Sequence, residues 1–307
     1  MARALHDPEH GYYARRISGV GRRGDFTTAP MLSAAPARAI AAWATMALKE
    51  TGCRDLIEIG PGEGSLAAGV LRNLPWKSRW KTRLHLVETS VPLAARQREM
   101  LGRRASYHTR IQDALESCGG RAVIYSNELV DAFPVRRFQK TPEGWRELAV
   151  HFDEQKHATE SLLPPAPLPD SAGFLDGHPL GQWIEVHDSY RRFLEDWLPS
   201  WQAGRLLTID YGATAENLYH RQPRGSIRGY LHQQRLEGLA IYENPGRQDL
   251  TADVNFTDLM RWSQQWVCEQ RLTSFGEFLQ ATQHSDDPLL TDPQGASEAF
   301  LVLDQKR

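Results

Sequence analysis

The sequence predicts an α/β protein: one open, mainly parallel sheet, with an inserted subdomain between its fourth and fifth strands. Three observations predict it. Short apolar runs at 55–59, 83–88 and 121–128 alternate with helical patterns at 65–74 and 91–102. Strands separated by helices pair in parallel through right-handed crossovers. The alternation breaks near residue 135, and a buried-strand pattern returns only at 204–212, GRLLTIDYG.

Each element follows in order. Residues 33–52 are Ala-rich and read as a helix stopped by Gly52. Residues 55–59, DLIEI, read as the first strand. Leu66, Val70 and Leu74 repeat every fourth position, as do Ala67 and Leu71, so 65–74 reads as a helix. RLHLVE is the second strand and ends at Glu88. Ser90 and Pro92 then open a helix that runs to about Gly102. ASYHTRI is a short third strand and RAVIYSNE the fourth. VRRFQKTPEGWRELAVHFD reads as two antiparallel strands around a Pro-Glu-Gly turn. Residues 162–181 hold five prolines and read as a loop. A polar helix is predicted over Trp183 to Trp197, and another near 256–266. WVCEQRLTSF and EAFLVLDQ supply the last two strands. The expected organisation is a loop and helix covering the site (1–52), the first part of the core (53–134), the inserted subdomain (135–200), and the rest of the core with a lid-like loop at 213–250.

Composition narrows the function. The 307 residues carry 36 basic and 38 acidic groups, a formal charge of −2, so no general attraction to nucleic acid or to an anionic membrane is expected. No apolar run approaches the roughly 20 residues of a membrane span, and the N-terminus lacks the apolar stretch of a secretory signal. Cys53, Cys118 and Cys268 are far apart and form neither a disulfide framework nor a metal knuckle, which points to a cytoplasmic address. His6 and His10 stand four apart, but Pro8 lies between them and Asp7 replaces the glutamate of a zinc helix, so no metal is expected. The nine tryptophans read as packing rather than as a base-stacking platform. Arg221, Arg224, Arg228 and Arg235 read as a solvated loop or a lid before they read as a nucleic-acid surface.

Ligands of open α/β sheets bind beyond the carboxyl ends of the strands. Gly60, Gly62 and Gly64 fall there, in EIGPGEGSL. Their spacing departs from the dinucleotide fingerprint, which wants a glycine where Ser65 stands. Pro61 removes one N–H that a pyrophosphate would use. Glu88, ending the second strand, suits both hydroxyls of an adenosine ribose and repels a 2′-phosphate. The plain alternative is a strand-to-helix turn with no ligand. Asp113, after the third strand, has two readings: a partner for an adenine amino group, or a helix N-cap. In YSNELVDAFPV, Asn127 and Glu128 face the cleft with Asp131 one turn on; the alternative pairs these carboxylates with Arg136 or Arg137. Asp25, Thr27 and Thr28 offer polar groups in a glycine-rich stretch that reads as a flexible loop before it reads as a site, and Asp210 ends the fifth strand, where a plain core edge is the alternative.

HDPEHGYY, GDFTTAP, EIGPGEGSL, NELVDAFPV, IDYG, RGSIRGYLHQQ and DLTADVNFTDL, in that order, resemble the MidA-like methyltransferases, the family that includes the mitochondrial complex I assembly factor. The resemblance spans nearly the whole chain. It implies a Rossmann-like class I methyltransferase fold, S-adenosylmethionine as cofactor, and methylation of a protein side chain, arginine favoured. By similarity, Gly60, Pro61, Gly62 and Gly64 line the methionine side, Glu88 holds the ribose, and Asn127 and Glu128 lie near the methyl donor. Met31 and Asn255 stand where relatives often carry acids. Glu128 is then the first candidate to grip the acceptor, with Asp131 second and Asp25 or Asp210 completing the grip. The partners expected are a protein substrate, no nucleic acid and no membrane, with the oligomeric state open and a homodimer among the options. The alternatives are a catalytically silent, cofactor-binding assembly factor and an NAD-dependent oxidoreductase, which the missing last glycine disfavours.

Overall fold

Burial on both faces is what makes the first strand: in the computed structural model, which describes residues 1–15, 33–155, 157–232, 234–283 and 296–307, every residue of β1 (Asp55–Ile59) is buried. β2 (Arg83–Val87), β3 (Ala105–His108) and β4 (Ala122–Asn127) follow, with the helices Ser65–Asn73, Val91–Leu101 and Ile111–Ser117 as their crossovers. β5 (Arg136–Thr141), β6 (Gly144–Phe152), β7 (Ala158–Leu162) and β8 (Trp183–Val186) come next. Then come β9 (Arg205–Ala213), β10 (Arg228–Leu231), β11 (Gln234–Leu236), β12 (Asp249–Thr251), β13 (Val254–Asn255), β14 (Glu269–Ser274) and β15 (Phe300–Lys306).

The main sheet has the order β14-β15-β9-β4-β1-β2-β3. β3, β2, β1, β4 and β9 run parallel, and β15 is antiparallel to both of its neighbours. The described residues divide into two units. One, Ile17–Leu129, Glu195–Tyr211 and Ser263–Arg307, carries this sheet. The other comprises Met1–Arg16, Val130–Leu194 and Gly212–Trp262.

In the sheet unit, one face of the strands is covered by the helices Ala35–Thr51, Ser65–Asn73 and Phe275–Ala281. Ile40, Leu56, Val70, Val123, Leu207 and Leu279 are all fully buried there. Each such side chain contributes about 1.5–3 kcal/mol. Helix Ala35–Thr51 ends as expected, with Gly52 left-handed at φ 68°. Gly69 lets its helix approach closely: a Cβ there would stand 2.8 Å from Ala37 Cβ.

In the other unit, β5 and β6 form the expected hairpin, joined by Pro142 and Glu143. It grows into the four-stranded sheet β7-β6-β5-β8, and a second small sheet has the order β11-β10-β12. Arg137 is largely buried; it donates to Glu160 (2.8 Å) and to Tyr242 (2.6 Å) and lies 3.4 Å from Glu185. Residues 183–186 correct the sequence reading. They form a strand on the edge of β5, and the helix begins only at Asp188. The apolar spacing of 183–197 is compatible with a helix, but pairing with a strand distant in sequence overrides a local pattern.

Candidate functional site

The carboxyl edge of the sheet unit brings three sequence-predicted segments side by side. Ile59 is level with Val87 on one neighbour and with Ser126 on the other. The glycine turn therefore leaves β1 between Glu88 and Asn127, with about 4.8 Å between adjacent strands. Gly60, Gly62 and Gly64 are all left-handed, at φ 67°, 54° and 86°. Three such residues within five are a conformation that side chains resist. The turn is held by Gly60 N–H donating to Val87 C=O at 3.0 Å and Gly64 N–H donating to Pro61 C=O at 2.8 Å. A Cβ on Gly60 would meet Leu129 Cδ1 at 2.6 Å, whereas one on Gly62 would meet nothing within 4 Å. The middle of the turn thus has open space beside it.

Glu88 is half-buried at the end of β2 and accepts the Ser90 N–H at 2.7 Å. Burial raises its pKa to about 7, against the pull of hydrogen bonds from Ser90, Thr89 and Gln97. Gln97 is a site residue that the sequence reading missed. It is fully buried, and its Nε2 donates to Gly62 C=O at 2.7 Å, so it braces the turn and Glu88 together. Its Oε1 is a buried acceptor with no partner among the described residues. A signal existed: Leu93, Gln97 and Leu101 share one helical stripe, and a glutamine among leucines calls for a polar task.

Asn127 and Glu128 stand at the end of β4, with Asn127 Nδ2 donating to Glu128 Oε1 at 3.1 Å. Glu128 is left-handed at φ 51°, an uncommon state for a side-chain-bearing residue. The strain is held from β9. Glu128 N–H donates to Ile209 C=O at 2.9 Å, and Leu129 N–H donates to Asp210 Oδ2 at 3.1 Å. Asp210 is fully buried and also accepts the Tyr211 N–H. Arg136 pairs with Glu147, and Arg137 with Glu160 and Glu185.

Asp131 belongs to the other unit, where its buried carboxylate accepts the Thr251 hydroxyl at 2.8 Å. Asp113 is exposed in the first turn of helix Ile111–Ser117, whose N-cap is Arg110. Asp25 lies outside the described residues.

Glycine space, an acceptor carboxylate and an orphaned buried acceptor together fit a ligand that carries hydroxyl and amino donors. Comparison with known proteins agrees. Residues 39–274 match the model of a family described as "Putative S-adenosyl-L-methionine-dependent methyltransferase". The mitochondrial protein arginine methyltransferase NDUFAF7 of Mus musculus is 29% identical over 299 residues, covering 86% of this chain and 65% of its own length. The Homo sapiens protein of the same name is 28% identical, covering 86% of this chain and 64% of its own. The chain thus spans just under two thirds of these relatives. A crystal structure from Burkholderia thailandensis, described as a "likely methyl transferase" bound to S-adenosyl-homocysteine, superposes with a TM-score of 0.85 at 28% identity, over 100% of this chain and 86% of that one. The cytoplasmic expectation is corrected here, because the curated relatives are named mitochondrial proteins. Unpaired cysteines report a reducing environment, not which compartment supplies it. The fold is the Rossmann-like class I sheet, and the chain belongs to this family of S-adenosyl-L-methionine-dependent methyltransferases.

Proposed function

We propose that this chain transfers a methyl group from S-adenosylmethionine to a protein side chain, with arginine the favoured acceptor. The observation that carries the reading is the alignment, along one sheet edge, of the left-handed glycine turn, Glu88 and the Asn127–Glu128 pair. The names of the NDUFAF7 relatives support the choice of arginine.

S-adenosylmethionine, when bound, supplies an electrophilic methyl group on a sulfonium. Gly60, Pro61, Gly62 and Gly64 would line its methionine side, and Glu88 would accept its ribose hydroxyls. Asp113 would take the adenine amino group. Asn127 would lie near the methyl end, and its hydrogen bond orients Glu128. Glu128 would grip the acceptor guanidinium through charge-assisted hydrogen bonds and hold positive charge on the gripped nitrogens, leaving the third nitrogen the more nucleophilic. Most of the acceleration then comes from position, because the methyl donor is already reactive. Asp210 has both oxygens engaged by backbone N–H groups, so its part is to position Glu128. Asp131 and Asp25 stand as the next candidates for the grip, each tested by its own asparagine variant.

Glu128→Gln should abolish labelling of acceptor proteins by labelled S-adenosylmethionine while calorimetric affinity for S-adenosylhomocysteine stays within about twofold. Normal labelling by that variant overturns the role of Glu128. Cofactor binding without labelling of any protein in a host lysate overturns the enzymatic reading in favour of a silent assembly factor. Mass spectrometry of the labelled bands names the acceptor and its residue type.

A further inference from the structure

Helix Trp76–Lys81 of the sheet unit, WKSRWK, buries none of its residues. Trp80 is 83% exposed and Trp76 is 65% exposed. They stand four apart, so both rings lie on one face of the helix. Trp43, Trp197, Trp201 and Trp262 are buried, as packing tryptophans should be. Tryptophan carries a large apolar surface that packing normally buries. The charge around Trp76 and Trp80 is equally one-sided. Between Arg72 and Arg83 there are five cations and no acid. Arg83 pairs with Asp55, but among the described residues Arg72, Lys77, Arg79 and Lys81 make no ion pair. Lys77 leans over the Trp76 ring, its Nζ 5.5 Å from the ring centre. The apolar surface continues past the helix: Met46, 57% exposed, and Pro75 border a groove of about 430 Å³.

We propose that this helix docks the protein on an anionic lipid bilayer. Tryptophan rings settle at headgroup depth, and lysine and arginine beside them meet the lipid phosphates. Each basic residue near such a surface adds to an attraction that falls off within a Debye length. The chain as a whole is slightly acidic, so the attraction belongs to this face and not to the molecule's net charge. A single strand of nucleic acid wants a basic groove that tracks its backbone; here the rings project from a short exposed helix. No helix among the described residues is long and apolar enough to cross a membrane, so the contact is peripheral. The inference is independent of the methyl-transfer reading.

The test is sedimentation of the full chain with vesicles of phosphatidylcholine alone, or of phosphatidylcholine with 30% phosphatidylglycerol. The protein should pellet with the anionic vesicles at low salt and be released at high salt. Brominated lipid should quench its tryptophan fluorescence. Trp76→Ala with Trp80→Ala should remove that quenching, and Lys77→Glu with Lys81→Glu should weaken binding by about tenfold or more. All four positions are exposed, so thermal melting and S-adenosylhomocysteine affinity should not change in either double variant. Failure to pellet with anionic vesicles overturns the proposal. So does pelleting that both double variants retain, or tighter binding to an RNA oligonucleotide or polyglutamate than to the vesicles.

Discussion

Glu88 and Glu58 show how burial sets chemistry at single residues. Glu88 must be ionised to accept two hydroxyls, yet burial raises its pKa to about 7. Affinity for S-adenosylhomocysteine should therefore fall as pH drops from 8 to 6, and Glu88→Gln should bind weakly at both; calorimetry at the two pH values checks this. Glu58, on β1, is 2% exposed and accepts the Tyr125 hydroxyl at 2.7 Å. Burial raises its pKa to about 8, so between its ordinary value and 8 the folded state holds a proton that the unfolded chain has lost. Its contribution to stability thus declines as pH rises across that window and is level above it. Glu58→Gln should flatten that part of the profile, read by urea melts from pH 5 to pH 9. Neither shift is legible in the sequence, where DLIEI and RLHLVE each show one ordinary glutamate: pKa is set by what the sheet packs around the carboxyl group. Gln97 escaped notice for a related reason, since its partner is the Gly62 carbonyl, 35 positions away.

Elements were legible where the pattern was local. The helix over 35–51, its stop at Gly52, the cap at Ser90 and the strands β1, β2 and β4 all follow from residues that are neighbours in sequence. Segments whose partners are distant were not. Residues 183–186 are a strand because β5 pairs with them, and β10 to β12 form a small sheet that a basic, turn-rich stretch concealed. Contact between elements also explains Gly204. It lies at φ 144°, and a Cβ there would stand 1.8 Å from the Ala122 carbonyl oxygen, where β9 begins beside β4. That same oxygen accepts the Trp201 indole N–H at 2.9 Å. Gly204→Ala should therefore cost more than about 3 kcal/mol or prevent folding, read by urea denaturation.

At the scale of the whole molecule, ligand binding and stability are linked. S-adenosylhomocysteine at about 100 times its dissociation constant adds about 2.7 kcal/mol to the unit that binds it. The melting transition of that unit should rise by about 5–11 °C. Gly62→Val puts a β-branched side chain at φ 54°, in the open space of the turn, and should abolish the shift; an unchanged shift would remove the turn from the cofactor site. The sequence by itself determined the α/β class, the parallel core and the glycine turn with its flanking acids, because periodicity and backbone freedom are properties of short stretches. Only the tertiary structure decided which strands adjoin, that Glu128 is held strained by β9, that Gln97 braces the turn, and that Trp76 and Trp80 face outward. Those outcomes depend on which distant segments meet, and burial, unlike periodicity, is created by that meeting.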